Sequence, residues 1–217
     1  MPETNALVPK WYSLLAPLAF LMFMQAAISK KEKPEQISFG DLVGLTEAKA
    51  SLDRVIKTLG GDPPLARFGE KSPNGVLLFG PEKRGKTTLV NALAYDSKVA
   101  YFPITATNIA IEGTSKAIAT IQSVFLEARM YAPCLIYIQD VDAIAEKKTA
   151  GCDPILLQLL TEMEKCYRDG RLVIVIGSTT KKHEELDTRL TESELFLEEV
   201  HVEMPDEDAR RGFLIYT

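Results

Sequence analysis

Eight consecutive residues, Gly80-Pro81-Glu82-Lys83-Arg84-Gly85-Lys86-Thr87, set two glycines, a lysine and a hydroxyl in the pattern G-x-x-x-x-G-K-[ST]. Each residue type has a task on a phosphate. Glycines let backbone N–H groups turn inward on an anion at a helix N-terminus, a lysine reaches the β- and γ-phosphates, and a hydroxyl ligates Mg²⁺. The chemistry is nucleotide binding. Its candidate cradle is Pro81, Glu82, Lys83, Arg84, Gly85, Lys86, Thr87 and Thr88, with Thr87 also a candidate Mg²⁺ ligand.

Such a loop works only between a strand and a helix, and the flanking residues predict both. Gly75–Phe79 (GVLLF) is apolar throughout, as a buried strand is, and the residues from Lys86 to about Ala94 read as a helix. Beyond the loop, short apolar runs alternate with amphipathic stretches, the signature of a parallel sheet with crossover helices. A helix runs from Thr46 to Leu59, closed by Gly60-Gly61. Ile118, Ile121, Val124, Phe125 and Ala128 predict a helix over 115–131, and a further helix spans Ile155 to about Lys165. Further strands are expected around 99–104, 135–138, 172–176 and 200–202. The fold class is α/β, a five-stranded parallel sheet flanked by helices.

Composition bounds the remaining possibilities. With 217 residues, 46% hydrophobic and 25% charged, the chain holds one ordinary globular domain with a packed core. A formal charge of −5 argues against a nucleic-acid partner, which requires clustered basic residues. Cys134, Cys152 and Cys166 are too few and too widely spaced for a disulfide framework or a CxxC metal site, and read as reduced thiols.

Residues 11–28 (WYSLLAPLAFLMFMQAAI) carry no formal charge and would extend about 27 Å as a helix, close to the roughly 30 Å hydrocarbon core of a membrane. Lys30, Lys31 and Lys33 follow this run, against Lys10 alone before it. That bias puts the rest of the chain on the cytoplasmic or matrix side. The organisation expected is a tail (1–10), a transmembrane helix (11–28), a polar linker (29–36) and a nucleotide-binding α/β domain (37–217). The alternative reading of the first run is a cleaved signal peptide.

Over nearly all of residues 37–213 the chain resembles the AAA module of the FtsH-type membrane-anchored proteases, a P-loop NTPase fold corresponding to the AAA large subdomain. Phe39-Gly40-Asp41-Leu42-Val43-Gly44 with Glu47-Ala48-Lys49 is similar to the family's opening motif, and the resemblance implies that Val43 and Gly44 lie against adenine. Lys71–Thr88, Ala132-Pro133-Cys134, the run Leu157–Met163 and Pro205-Asp206 match further family positions. The cofactor implied is ATP or ADP, with or without Mg²⁺.

The working residues of that family are repeatedly replaced. Its Asp-Glu pair is here Gln139 and Asp140, so Gln139 is left as a neutral candidate Mg²⁺-water ligand and Asp140 as the residual catalytic candidate, one methylene short. A loop position that is usually glycine is Lys83, which either folds over the phosphates as an extra cation or distorts the loop. Glu192 and Leu195 stand where two arginine fingers are expected, and the polar sensor is Thr179 or Thr180. Residues 108–114 (NIAIEGT) have no aromatic residue with which to grip a substrate and read as a surface loop. The family's helical lid is expected to be missing. No HExxH occurs and His183 and His201 are the only histidines, which excludes zinc proteolysis.

The function these losses imply is a membrane-anchored pseudo-ATPase, an accessory subunit of a larger membrane complex that keeps ATP or ADP binding without efficient hydrolysis. The compartment favoured is the mitochondrial inner membrane, over a plastid or bacterial cytoplasmic membrane. The alternatives are an active ATPase subunit that borrows fingers and lid in a mixed ring, and an adaptor that tunes a true protease ring.

Overall fold

Strands covered by helices on both faces have no polar side to alternate, so they appear as unbroken apolar runs. In the computed structural model, which describes residues 31–42, 45–59, 74–147 and 153–202, the strands are β1 (Gly75–Phe79), β2 (Ala100–Thr105), β3 (Cys134–Gln139), β4 (Val173–Thr179) and β5 (Phe196–His201). They form one sheet in the order β2-β3-β4-β1-β5, and every neighbouring pair is parallel. The helices are α1 (Thr46–Leu59), α2 (Lys86–Ser97), α3 (Ala106–Ile111), α4 (Thr114–Met130), α5 (Asp142–Ala145), α6 (Pro154–Arg168) and α7 (Thr188–Thr191).

Side chains two apart on a strand share a face, and the core divides accordingly. Leu77, Phe102, Ile136, Ile138 and Val175 pack with Ile121, Val124 and Phe125 of α4 and Leu156, Leu159 and Met163 of α6. On the other face Val76, Leu78, Leu135, Tyr137 and Ile176 pack with Leu52 and Val55 of α1 and Leu89, Val90 and Leu93 of α2. Glu162, 2% exposed, pins α6 to α4 by accepting from Arg129 at 3.1 Å, while Lys165 and Gln158 of its own helix complete its shell.

Three expectations are corrected. Residues 108–114 are not simply a surface loop: α3 runs through Ile111, with Ile109 buried in the core and Ile111 78% exposed. A six-residue helix is shorter than the window over which periodicity shows. The last strand starts at Phe196, not Val200, because it pairs with β1 from Gly75 onward. The fourth continues to Thr179, three residues past the apolar run, because small and polar residues there still complete the ladder to β1.

The expected membrane segment 11–28 lies outside the described residues, as do Val43, Gly44, Cys152, Pro205 and Asp206. Among the described residues no helix is long and apolar enough to cross a membrane. Within the linker, the Glu32 N–H donates to the Tyr101 carbonyl at 3.1 Å and so meets the exposed edge of β2.

Candidate functional site

In an open parallel sheet ligands sit beyond the carboxyl ends of the strands. There β1 gives way to the Gly80–Gly85 loop, and Gly80 has no room for a side chain: a Cβ would lie 2.4 Å from the Val202 carbonyl oxygen. Gly85, at φ 81, turns the chain directly into α2, whose N-terminus has no side-chain cap. Its first N–H groups are therefore open to an anion. The expected loop thus stands at the expected strand–helix junction.

Lys83 holds the left-handed geometry its position demands, at φ 56, instead of collapsing the loop. A non-glycine residue there costs about 1–3 kcal/mol, which the surrounding structure must hold. Lys86 is 9% exposed and donates through Nζ to the carbonyls of Gly80 and Pro81, the latter at 2.8 Å. Burial lowers the pKa of this ammonium, while Asp140, Glu82 and Asp142 pull it back up. The Arg84 Nε is buried with no hydrogen-bond partner. Two donor groups with no acid in hydrogen-bond contact, at the head of an uncapped helix, are what a phosphate chain would satisfy.

The loop opens on a cavity of about 820 Å³, large enough for a nucleotide-sized ligand. Glu82, Lys83, Arg84, Gly85, Lys86, Thr87 and Thr88 line one wall; Gln139, Asp140, Ser178, Thr180 and Tyr137 line the opposite one. Pro81 is brought in only through its carbonyl. Asp41, Leu42 and Leu45 close the far end, on either side of Val43 and Gly44 in the chain. The opening motif is tied down from two helices: the Phe39 N–H donates to Asp96 of α2 at 2.8 Å, and Lys49 of α1 donates to the Leu42 carbonyl.

The strand-end wall is built differently. The Tyr137 hydroxyl, on a side chain 1% exposed, shares hydrogen bonds with Thr87 Oγ1 at 3.1 Å and Ser178 Oγ at 2.9 Å. Thr179 Oγ1 donates to Asp142 Oδ1 at 2.6 Å and Thr179 is fully buried, whereas Thr180 lies on the cavity. Thr180 is thus the sensor candidate that reaches the site. Asp140 sits at φ 53, tolerable for an aspartate, and its carboxyl titrates above the ordinary value through burial and the neighbouring Asp142, with Lys86 opposing. For a hard cation this donor set fits poorly: the amide of Gln139 is neutral and the Thr87 hydroxyl is already engaged.

Neither finger position offers a cation. Glu192 is exposed just beyond α7, and Leu195 packs against the core. His183 and His201 flank the Phe79 ring, with His183 Nε2 3.2 Å from Glu199 Oε1. Among the described residues no group of three His, Cys, Asp or Glu could hold a metal ion. Burial pushes the Cys134 thiol up to about 12 and that of Cys166 to about 11, so both are inert at neutral pH.

Tyr137 and Ser178 escaped the sequence reading. The signal was available, since a tyrosine inside a wholly apolar strand must find a partner for its hydroxyl.

The family described as "ATPase family associated with various cellular activities (AAA)" matches residues 76–204, from β1 past the end of β5. The chain belongs to the AAA family. Among curated proteins, this AAA chain is 32% identical over 190 residues to the ATP-dependent zinc metalloprotease FtsH 3 of Synechocystis sp., covering 84% of its own length and 30% of that protein. To FtsH 2 of Bdellovibrio bacteriovorus it is 34% identical over 187 residues, at 82% and 30% coverage. To an uncharacterized AAA domain-containing protein of Schizosaccharomyces pombe it is 33% identical over 198 residues, at 88% and 25%. It is thus an AAA domain related to FtsH, and it spans 30% or less of the length of these three relatives.

Proposed function

We propose that this AAA domain holds an adenine nucleotide as a fixed part of its structure and hydrolyses it inefficiently, serving as an accessory subunit of a larger membrane assembly. The observation that carries the reading is the mismatch across one cavity: an intact phosphate loop faces Gln139 and Asp140, a neutral amide and an acid on a short stem. Lys86, Arg84, Thr88 and the N-terminus of α2 hold the phosphates; Leu42 and Leu45, with Val43 and Gly44 between them, take the base. A bound nucleotide supplies phosphate charge that the donors of the loop satisfy.

Inefficient turnover follows from the other wall. Asp140 is the acid placed to orient a water, and its stem is one methylene shorter than glutamate, where about 1 Å of misplacement costs roughly a hundredfold. Copies of this chain side by side would offer each other no arginine from positions 192 or 195, and the transition-state charge would then lack a contribution worth about 10³–10⁵ in rate. The segment 11–28 anchors the assembly in a bilayer, with the mitochondrial inner membrane the favoured location, and the protease chemistry in the names of the FtsH relatives is not proposed for this chain.

Titration calorimetry of the full chain with ATP, run beside a phosphate-release assay, tests the reading. Binding with turnover far below about 1 s⁻¹, the lower end for kinases, is expected. Turnover within about 1–100 s⁻¹ that Asp140→Asn stops would overturn the inefficient-hydrolysis part, and no binding would overturn the whole. Native electrophoresis after gentle extraction tests the assembly: migration as a free homohexamer would defeat the subunit role.

A further inference from the structure

We infer that this site takes the phosphates of an adenine nucleotide without a divalent cation, the loop's own side chains balancing their charge. The inference rests on the nucleotide-binding reading above and adds to it a cation requirement that differs from that of Mg²⁺-dependent loops.

In P-loop NTPases Mg²⁺ is held by the loop Ser or Thr and by an aspartate at the end of a neighbouring strand. Here the loop hydroxyl, Thr87 Oγ1, meets a phenol instead of a carboxylate: the Tyr137 hydroxyl at 3.1 Å, itself bonded to Ser178 Oγ at 2.9 Å. This chain of three hydroxyls is neutral and Tyr137 is almost fully buried. Gln139, two residues along the same strand and on the same cavity wall, adds an amide. Mg²⁺ gives up its water reluctantly and favours carboxylate oxygen, so the neutral hydroxyls and amide beside Thr87 give it little reason to stay. The nearby acids, Asp140 and Glu82, already interact with the Lys86 ammonium.

The opposite wall carries the charge that a metal would otherwise bring. Lys83, Arg84 and Lys86 fall within four residues of the loop. Lys83 keeps the left-handed backbone that shapes the loop and lines the cavity, and Arg84 presents a buried Nε with no acceptor. Guanidinium and ammonium groups neutralise phosphate directly. Tyr137 acts here as a positioning residue: it holds the Thr87 hydroxyl in a neutral hydrogen bond.

The test is calorimetry of the full chain with ADP and with ATP, once in excess EDTA and once in excess MgCl₂. The dissociation constants are expected to agree within about threefold, a difference below about 0.7 kcal/mol. Binding more than about tenfold weaker in EDTA overturns the inference and leaves the nucleotide reading standing; no binding under either condition overturns both. A second measurement takes the double variant Tyr137→Phe/Gln139→Asp, which frees Thr87 and restores a carboxylate. Mg²⁺ is expected to tighten its ADP binding about tenfold or more, the scale of one charge-assisted contact. A merely structural role for Tyr137 would alter stability but not this ratio, so an unchanged ratio overturns the inference. Should the double variant fail to fold, the comparison on the unaltered chain decides.

Discussion

The loop wall of the cavity, residues 80–88, and the strand-end wall, residues 137–142 with 178–180, differ in where their polar groups point. On the loop, shape comes from backbone: Gly80 pressed against Val202, Gly85 and Lys83 with positive φ, and a helix starting at Lys86. Its helix N-terminus has no side-chain cap, the Arg84 Nε has no acceptor, and the Lys86 ammonium bonds only backbone carbonyls. On the strand ends, polar side chains bond to one another, Tyr137 to Ser178 and Thr179 to Asp142, while Gln139, Asp140 and Thr180 line the cavity. Binding a phosphate asks mainly for backbone donors, which side-chain replacement leaves in place. Moving a phosphoryl group asks for particular side chains, and a single replacement removes them.

The sharpest way to break this contrast is Lys86→Ala. If the loop wall carries binding, affinity for ATP falls about 100-fold, two charge-assisted contacts at roughly 1.5 kcal/mol each, in a calorimetric titration. A loss of threefold or less would mean that the other wall holds the ligand.

Rebuilding the strand-end wall is the complementary test. Gln139→Asp with Asp140→Glu should raise single-turnover hydrolysis about 100-fold, the factor attached to a catalytic group about 1 Å out of place, while binding changes little. Rapid-quench measurement reads it, and an unchanged rate would show that the identities of residues 139 and 140 do not limit hydrolysis.

Asp140 alone gives a smaller, pH-dependent effect. Its carboxyl titrates above the ordinary 3.8 in the folded chain, because of burial and Asp142. Between that value and the raised one the folded chain binds more protons than the unfolded, so this group's contribution makes stability fall as pH rises through the window. Asp140→Asn should therefore make the melting temperature fall less as pH rises above 3.8 and raise its neutral end. A profile parallel to that of the unaltered chain would contradict the assigned environment.

The smallest expected change is Lys83→Gly. Relief of left-handed strain, about 1–2 kcal/mol, is opposed by the roughly 0.5–1 kcal/mol that glycine adds in chain entropy, leaving a stabilisation of about 0–1.5 kcal/mol in denaturant melts. A loss of stability would show that the Lys83 side chain makes contacts that the backbone account omits.

Much of this was legible in the residues. Thr46–Leu59 and Gly75–Phe79 fall where helical spacing and an apolar run place them, and Gly80–Thr87 stands at the strand–helix junction its pattern requires. Less legible were elements whose reason lies elsewhere in the chain. Helix α3 is too short to show a period and is recognisable only by Ile109 entering the core beside Ile111 in solvent. Strand β5 begins at Phe196 because β1 offers its edge from Gly75 onward.

The sequence by itself determined the α/β alternation and the loop with its cations. Those follow from local pattern and residue type, which need no partner to be read. Only the tertiary structure decided that Thr180 and not Thr179 faces the cavity, that Lys83 keeps the loop's left-handed turn, and that Tyr137 reaches both Thr87 and Ser178. Thr87 is 50 residues from Tyr137, and Ser178 is 41. Parallel pairing of β3 with β4, and the packing of α2 over the same face, close those distances to a hydrogen bond, which no window along the chain contains.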